Sequence, residues 1–302
     1  TVGDVDSAAA SLSVFASSSN TTLVPNSNIV PDGSGSSRTL SVTPVTGVNG
    51  TATITVTVMD DVAASASTNF VLTVSAVNDA PVLSDLGGPV NFTEDGSATP
   101  LSVAATVSDL ELDAANNYNG ATLKVERNPA ANPEDVFGFT GAVAVDGVNL
   151  EISGVSKATF TQTGGMLNIT FAGNPTASDA DTILQSITYS NSSDTPPAGV
   201  QIDYTFTDGN TGSQGTGSFG TATGSVTVNI TPANDPPTIS DISDQTTPEA
   251  TTISNIAFTV GDVESDAASL SVFASSSNTT LVPDSNIVPG GSGSSRTVSV
   301  TP

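Results

Sequence analysis

The sequence predicts an all-β protein made of tandem β-sandwich modules, and three observations support this. Apolar and polar residues alternate over short runs, as they do in half-buried strands. Clusters of turn-forming residues such as DGSGSS, TGVNG and QTGG separate those runs. The chain also repeats itself with a period of 258 residues. Short strands at regular spacing, without a helix between each pair, are typical of sandwiches.

Four runs show the alternation most clearly, and each has one apolar face. These faces are residues 52, 54, 56 and 58 in TATITVTV, residues 70, 72 and 74 in NFVLTV, residues 202, 204 and 206 in IDYTFT, and residues 226, 228 and 230 in SVTVNI. One helical segment is expected in SDADTILQ, with Ser178 as its cap and with apolar residues at helical spacing after it.

The internal repeat determines the predicted modules. Residues 1–44 return as residues 259–302 with five differences, at positions 6, 8, 26, 32 and 40 of the first copy. The markers NDAP at Asn78 and NDPP at Asn234 lie 156 residues apart, which leaves 102 residues of the 258-residue period. We therefore predict three parts: the later part of a short module at 1–77, a long module at 78–233, and the earlier part of the next short module at 234–302. Inserted hairpins are expected around 125–175, and the chain is expected to be a window on a longer array.

The composition restricts the possible chemistry. Five basic residues face thirty acidic ones, the net charge is −25, and there is neither Cys nor His. Disulfides, thiolate nucleophiles and imidazole ligands are thereby excluded. A chain with this much negative charge repels phosphate backbones, and no nucleic-acid partner is therefore expected. No apolar run is long enough for membrane insertion. The oxygen ligands that remain suit hard cations such as Ca²⁺.

Acidic residues recur at matching distances from the two markers. The set comprises the linker pairs Asn78-Asp79 and Asn234-Asp235, the early glutamates Glu94 and Glu249, the V-x-D-x-E pairs Asp109/Glu111 and Asp262/Glu264, and the late-strand acids Asp60, Asp61 and Asp208. In a seven-stranded sandwich the linker and the B–C and F–G loops lie at the same end. Strand alternation is expected to turn both carboxylates of D-x-E to one side.

Carboxylates crowded in this way repel each other by about 1–4 kcal/mol per pair near a surface. A divalent cation reverses the sign of that interaction, so Ca²⁺ is predicted at the module junctions. Glu94 lies at the opposite end of its module, where Asp179 or Asp181 is expected to join it beside Asn234. The short module offers only Asn49 at the matching place. For any one of these residues, a solvated turn-forming role is the simpler interpretation.

The linkers, the early Glu, the V-x-D-x-E segment and the late-strand Asp, taken in this order, resemble bacterial cadherin-like repeats. The resemblance implies tandem Ig/cadherin-like β-sandwich modules in an extended array, with Ca²⁺ stiffening the junctions. Carried over by position, the implied ligands are Asn78, Asp79, Asp109, Glu111 and Asp208 at one junction and Asn234, Asp235, Asp262 and Glu264 at the other. It also implies an extracellular location, in a long adhesin stalk or surface filament. The linkers carry fewer acids than those of animal cadherins, and no glycine-rich nonapeptides of calcium-binding export signals are present.

Other functions are compatible with parts of the sequence. Neighbouring copies of the repeat could complete one another and assemble into a filament, and single modules could bind cell-surface or matrix glycans. The threonine row at positions 51, 53, 55 and 57 could match a lattice such as ice, although Thr is a common exposed strand residue. A glycosidase would need a carboxylate pair beside an aromatic platform, and the chain has no Trp and three Tyr. We therefore expect no enzymatic activity.

Overall fold

The computed structural model describes all 302 residues, Thr1–Pro302, and confirms the predicted all-β class. Strands account for 44% of the chain and helices for 7%, so sheets form the scaffold that carries the loops. Each sheet takes its strands from only one of three segments, 1–77, 78–233 or 234–302. Most of the acidic residues that were predicted as ligands lie where these segments meet.

The first segment contains two small antiparallel sheets. Its strands are β1 (Ser13–Ser18), β2 (Ile29–Ser34), β3 (Ser37–Val42), β4 (Gly50–Met59) and β5 (Ser65–Val74), with a 3-10 turn at Asn26–Asn28. The strand order is β1-β4-β5 in one sheet and β2-β3 in the other. The sheets pack around a core of five buried residues, Leu23, Val24, Ile29, Ala52 and Ile54. The loop at 45–49 joins β3 to β4 and faces the second segment.

The second segment contains most of the molecule's core. Its strands are β6 (Val82–Ser84), β7 (Val90–Thr93), β8 (Thr99–Pro100), β9 (Thr106–Ser108), β10 (Thr122–Arg127), β11 (Asp135–Phe139), β12 (Val143–Asp146), β13 (Asn149–Ile152), β14 (Val155–Thr163), β15 (Met166–Phe171), β16 (Ile187–Asn191), β17 (Gly199–Thr207) and β18 (Thr221–Thr231). One core of 29 buried residues extends from Leu86 to Ile230.

Three sheets enclose this core. They have the strand orders β12-β13-β14-β15-β10-β17-β18-β7, β11-β16-β8 and β6-β9, and every ladder is antiparallel except that between β7 and β18. The largest of the three sheets has eight strands, whereas the expected sandwich has seven strands in its two sheets together. Consecutive hairpins from β12 to β15 account for the excess, because each adds a strand at one edge of the sheet.

The predicted alternation is confirmed in the strands that lead to the candidate site. In β17 the side chains of Ile202, Tyr204 and Phe206 are fully buried, and the residues between them are not. Val226 of the neighbouring strand lies directly opposite Ile202 and is also buried. Each such side chain contributes about 1.5–3 kcal/mol by leaving water. This packing fixes the direction in which β17 delivers the loop that follows it.

Two helices interrupt the strands, α1 (Leu110–Ala115) and α2 (Ala177–Ser186). The helix predicted in SDADTILQ is confirmed as α2, but its predicted cap is wrong. Thr176 caps the helix: its Oγ1 accepts from the backbone N–H of Asp179 at 3.2 Å, and the Asp179 carboxylate accepts from the Thr176 N–H at 2.9 Å. This reciprocal pair satisfies two end groups, whereas Ser178 lies inside the first turn.

The third segment repeats part of the first but folds differently. Its strands are β19 (Thr238–Ile239), β20 (Ile253–Gly261), β21 (Ile287–Ser292) and β22 (Ser295–Val300), in the order β19-β20-β22-β21, with a 3-10 turn at Asp284–Asn286. Ser271–Ser276 has the same sequence as β1 but belongs to no sheet. In the first segment this sequence pairs with β4, so its partner decides whether it forms a strand.

Neither helix has the length and apolar composition needed to cross a lipid bilayer.

Two buried tyrosines of the second segment should respond oppositely to loss of the hydroxyl. Tyr204 Oη is buried without a hydrogen-bond partner, whereas Tyr118 Oη donates to Asp113 at 2.7 Å. We expect Tyr204→Phe to raise the free energy of unfolding by about 1 kcal/mol, and Tyr118→Phe to lower it by about 1–3 kcal/mol. Urea denaturation of both variants measures this, and a change of the same sign in both would contradict the assignment.

Candidate metal sites at the two junctions

The first junction, where the first segment meets the second, is built around Asp109. This residue follows β9 directly and caps α1: its Oδ1 accepts from the backbone N–H groups of Glu111 at 3.1 Å and Leu112 at 2.9 Å. The side chain is only 3% exposed, and Oδ2 has no hydrogen-bond partner. One oxygen therefore holds the helix end and the other is free to bind a ligand.

Glu111 reaches the site in a way that the sequence did not predict. The expected strand alternation through D-x-E is wrong, because Asp109 satisfies the first free N–H groups of Leu110–Ala115 and so starts a helix there. From the first turn of this helix, Glu111 Oε2 accepts from the backbone N–H of Asp79 at 3.2 Å. The bond attaches the linker to the module that follows it.

Asp208 closes the other side of the first junction. It follows β17 and is completely buried. Its Oδ2 accepts from Asn78 Nδ2 at 2.7 Å and from the Gly220 N–H at 2.8 Å, and its Oδ1 accepts from the Asn210 N–H at 2.9 Å. Asn78 Oδ1 is buried and has no partner. All five residues proposed for this junction, Asn78, Asp79, Asp109, Glu111 and Asp208, thus surround one end of the second segment.

Negative charge accumulates at this end. Burial raises the pKa of Asp109, and the charges of Asp208 and Asp113 raise it further. Burial also raises the pKa of Glu111, with smaller contributions from the charges of Asp109 and Asp79. Both shifts express a preference for neutralisation, by a proton or by a cation. Asp113, the last acid of the V-x-D-x-E-x-D segment, points elsewhere, because its carboxylate accepts from Tyr118 Oη and from the Asp109 N–H.

The second junction, between the second and third segments, repeats the local geometry of the first. Asp262 Oδ1 accepts from the N–H groups of Glu264 at 3.1 Å and Ser265 at 2.6 Å. Glu264 Oε2 accepts from the Asp235 N–H at 3.1 Å, as Glu111 does from Asp79. Asn234 Nδ2 donates to the backbone oxygen of Asp235, and Asp235 Oδ2 has no hydrogen-bond partner. The shared V-x-D-x-E-x-D segment thus builds the same hydrogen-bonded turn at both junctions.

Acids from the second segment face this junction from the opposite side. Glu94 is 3% exposed; its Oε2 accepts from the Ala233 N–H at 2.8 Å, and its Oε1 is buried without a partner. Burial raises the pKa of Asp235, and the charges of Glu264, Asp95 and Asp194 raise it further.

Asp95 and Asp194 were not predicted to lie at this junction, and the two acids that were predicted beside Glu94 lie elsewhere. The Asp179 carboxylate accepts from the Thr176 N–H at the start of α2 and pairs with Lys157, and Asp181 accepts from the Val107 N–H, so both are engaged away from Glu94. Two signals were available in the sequence: Asp95 directly follows Glu94, and Asp194 lies in the polar stretch SSDTPP between two strands.

The remaining predicted residues are dispersed. Asp60 Oδ1 accepts from the N–H groups of Val62 at 3.0 Å and Ala64 at 2.7 Å, so it closes the turn after β4. Asp60 and Asp4, the counterpart of Asp262 in the repeat, line one cleft of about 160 Å³. Asp61 and Glu249 are exposed, and their carboxylates make no hydrogen bond. These two have the surroundings of ordinary surface acids.

The donor set of the first junction fits a hard cation, because two buried oxygens, Asn78 Oδ1 and Asp109 Oδ2, have no other partner. Carboxylate and amide oxygens are the ligands that Ca²⁺ takes, in flexible geometry. No three acidic side chains in the molecule are already placed to hold a metal ion together. Ligation therefore requires side-chain adjustment, which Glu111 and Asp79 can make because they are only partly buried or exposed.

Comparisons with known proteins leave the family open. No protein-family model matches the chain. No curated protein matches it either. Among solved structures, human mucin-like protocadherin EC1-2 is 11% identical at a TM-score of 0.33, covering 76% of this chain and 92% of that chain. EC21-23 of human CDH23 is 12% identical at a TM-score of 0.36, covering 97% and 79%. Such low identities and scores establish no family, so the site is interpreted from its own residues.

The raised pKa of Glu111 predicts a pH dependence in chelator. A carboxylate whose pKa is higher in the folded state stabilises the fold below its unfolded pKa and loses this contribution as the pH rises through the folded pKa. We therefore expect Glu111→Gln to stabilise the ion-free protein at neutral pH, with a gain that shrinks on acidification to about pH 4. Urea denaturation across this range measures it. Exposed Glu249→Gln is the control, and an equal response of both variants would refute the assignment.

Proposed function

We propose that the chain is a non-enzymatic structural repeat of a long extracellular adhesin stalk or cell-surface filament, in which Ca²⁺ stiffens the junctions between β-sandwich modules. The single observation that carries this proposal is the pair of partnerless buried oxygens, on Asn78 and Asp109, at the end of the second segment that adjoins the linker. Partnerless buried polar atoms are rare in folded proteins and call for a ligand or another explanation.

The proposed ligands divide between the junctions as the resemblance implies. Asn78, Asp79, Asp109, Glu111 and Asp208 would hold an ion at the first junction, and Asn234, Asp235, Asp262 and Glu264, with Glu94, at the second. A bound ion neutralises the acids and cross-links the linker to the adjoining loops. The chain's own contribution is to position the oxygens: Asp109 and Asp262 are held by backbone N–H groups of the turns that follow them.

The proposed modules correspond to the three segments 1–77, 78–233 and 234–302. Their sheets share no strands, and the two clusters of buried apolar residues lie within the first and the second segment. Neighbouring copies of the repeat are the proposed partners, in one longer chain or in adjacent molecules. This is supported by the internal repeat, in which residues 1–44 return as residues 259–302 with five differences.

A cleft at the first junction gives limited support to glycan binding as a second function. About 620 Å³ in volume, it is lined by amide and hydroxyl side chains including Asn49, Asn117, Asn119 and Gln214. Such groups can hydrogen-bond a sugar. No aromatic side chain lines the cleft, however, and so no flat apolar surface is present for a sugar ring. The mechanical function therefore remains the better supported one.

Calcium binding at the first junction can be tested with a variant that preserves the helix cap. Asp109→Asn keeps an oxygen able to cap α1 but removes the buried charge. We expect millimolar Ca²⁺ to raise the melting temperature of the wild type by several degrees through preferential binding to the folded state. In the Asp109→Asn variant, Ca²⁺ should raise the melting temperature of the second segment much less than in the wild type.

Calorimetric scans with Ca²⁺ and with chelator provide the measurement. Asp61→Asn is the matched control, because it removes an exposed charge that makes no hydrogen bond, and it should keep the full response. A wild-type protein whose melting is the same in Ca²⁺ and chelator would show that no ion is bound, and the proposal would fail.

Stiffening is tested separately by small-angle X-ray scattering. A cation shared by a linker and the loops beside it removes bending freedom, so the maximum dimension should be larger and better defined in Ca²⁺ than in chelator. Limited proteolysis should cut near a linker only in chelator. Identical scattering profiles in both conditions would show that Ca²⁺ does not change the stiffness of the chain, even if it binds, and would refute the mechanical role.

A further inference from the structure

The first junction is held by a protein clamp in addition to its acids. The F–G loop, residues 208–220, lies against the linker and pairs with it like a short parallel strand: Val77 forms a bridge with Thr216. The Asn78 N–H donates to the Thr216 oxygen at 3.0 Å, and the Thr216 N–H donates to the Ala76 oxygen at 3.0 Å. Two further bonds come from Thr216 Oγ1 and Asn78 Nδ2. None of them requires an ion.

Two glycines allow the F–G loop to approach so closely. Gly215 has φ +134°, and a Cβ at this position would lie 2.8 Å from the carbonyl carbon of Ala76. A Cβ on Gly220 would lie 2.6 Å from the Cα of Ala80. Such distances are too short for any side chain, so loop and linker are in direct backbone contact on both sides of Asn78.

The preceding module also contacts this clamped end directly. Leu110 Cδ2 lies 3.1 Å from the position that a Cβ on Gly47 would occupy, so the 45–49 loop rests on α1. That loop carries no acid; its polar side chains at the junction belong to Thr46 and Asn49. An ion at the first junction would therefore find acidic ligands on one side only, in the second segment and the linker.

The second junction has the opposite construction. Asn234 Nδ2 bonds only within the linker, and the Asp235 N–H bonds to Glu264 of the module that follows. Acids face each other from both sides, Glu94, Asp95 and Asp194 against Asp235 and Glu264. The short module's equivalent of the F–G loop, as seen in the first segment, is the five-residue turn Asp60–Ala64. This turn closes on itself, because the Asp60 N–H donates to the Ala64 oxygen at 3.0 Å.

We infer that the two junctions are mechanically different: the F–G clamp keeps the first junction rigid without any ion, whereas the second becomes rigid only when a cation bridges acids from both modules. Along the array, fixed joints would thus alternate with calcium-dependent joints. This inference rests on the proposed calcium-stiffened function and makes it specific to one junction of each repeat.

Distance measurements between paired spin labels can test each junction separately, because the chain has no native cysteine. Cysteines at the exposed positions Asn69 and Thr161 span the first junction, and Thr161 with Ser292 spans the second. Thr161 with Thr227 lies within the long module and serves as the control for unfolding. We expect chelator to broaden the distance distribution across the second junction by roughly twofold or more, and to leave the other two distributions unchanged.

The outcomes separate the inference from the proposed function. Equal broadening at both junctions, or broadening at the first alone, overturns the inference and leaves calcium stiffening intact. No broadening at either junction refutes calcium stiffening itself, and the inference with it.

A matched pair of glycine variants tests the clamp directly. Gly215→Val pushes the F–G loop away from Ala76, whereas Gly212→Val changes a glycine of the same loop that also has positive φ but has no atom within 4 Å of its Cβ position. In chelator, Gly215→Val should broaden the Asn69–Thr161 distribution to roughly the width seen at the second junction, and Gly212→Val should not. An unchanged distribution in Gly215→Val would show that the clamp does not hold the joint and would overturn the inference.

Discussion

Both junctions share one hydrogen bond, which joins a linker to the segment that follows it. The bond joins the N–H of a linker Asp to the carboxylate of a Glu in the next module, Asp79 to Glu111 and Asp235 to Glu264. It fixes the linker, but it also brings two negatively charged side chains together. The geometry that orders the joint therefore creates the repulsion that a cation can relieve.

Two further acids at the junctions, Asp109 and Glu94, are buried without a counter-charge. Burying a carboxylate is unfavourable unless hydrogen bonds or a counter-charge compensate. Backbone N–H groups compensate one oxygen of Asp109 and one of Glu94. The second oxygen of each is buried without a partner, and the chain's five basic residues are too few to supply counter-charges for thirty acids.

Loop length distinguishes the two kinds of joint. The F–G loop of the long module has enough residues beyond Asp208 to return along the linker and bond to it on both sides of Asn78. The corresponding turn of the short module, Asp60–Ala64, has only five residues, and its first and last residues hydrogen-bond to each other. The same acidic motif thus has two kinds of surroundings: at the first junction the linker also bonds to the F–G loop, and the turn Asp60–Ala64 of the first segment bonds only within itself.

The sequence by itself determined the all-β class, the alternating faces of β17 and β18, the repeat and the acids of both linkers, because alternation and spacing are local properties. The predicted face of NFVLTV was wrong at Phe70, which is 43% exposed. Only the tertiary structure decided that Asp109 starts a helix, that Asp95 and Asp194 face Asp235, and that the F–G loop clamps a linker far from it in sequence. Strand pairing decided whether the repeated segment SVFASS forms a strand. It is a strand where it lies beside β4 and not where that neighbour is missing, because the backbone groups of a strand find their hydrogen-bond partners in the neighbouring strand.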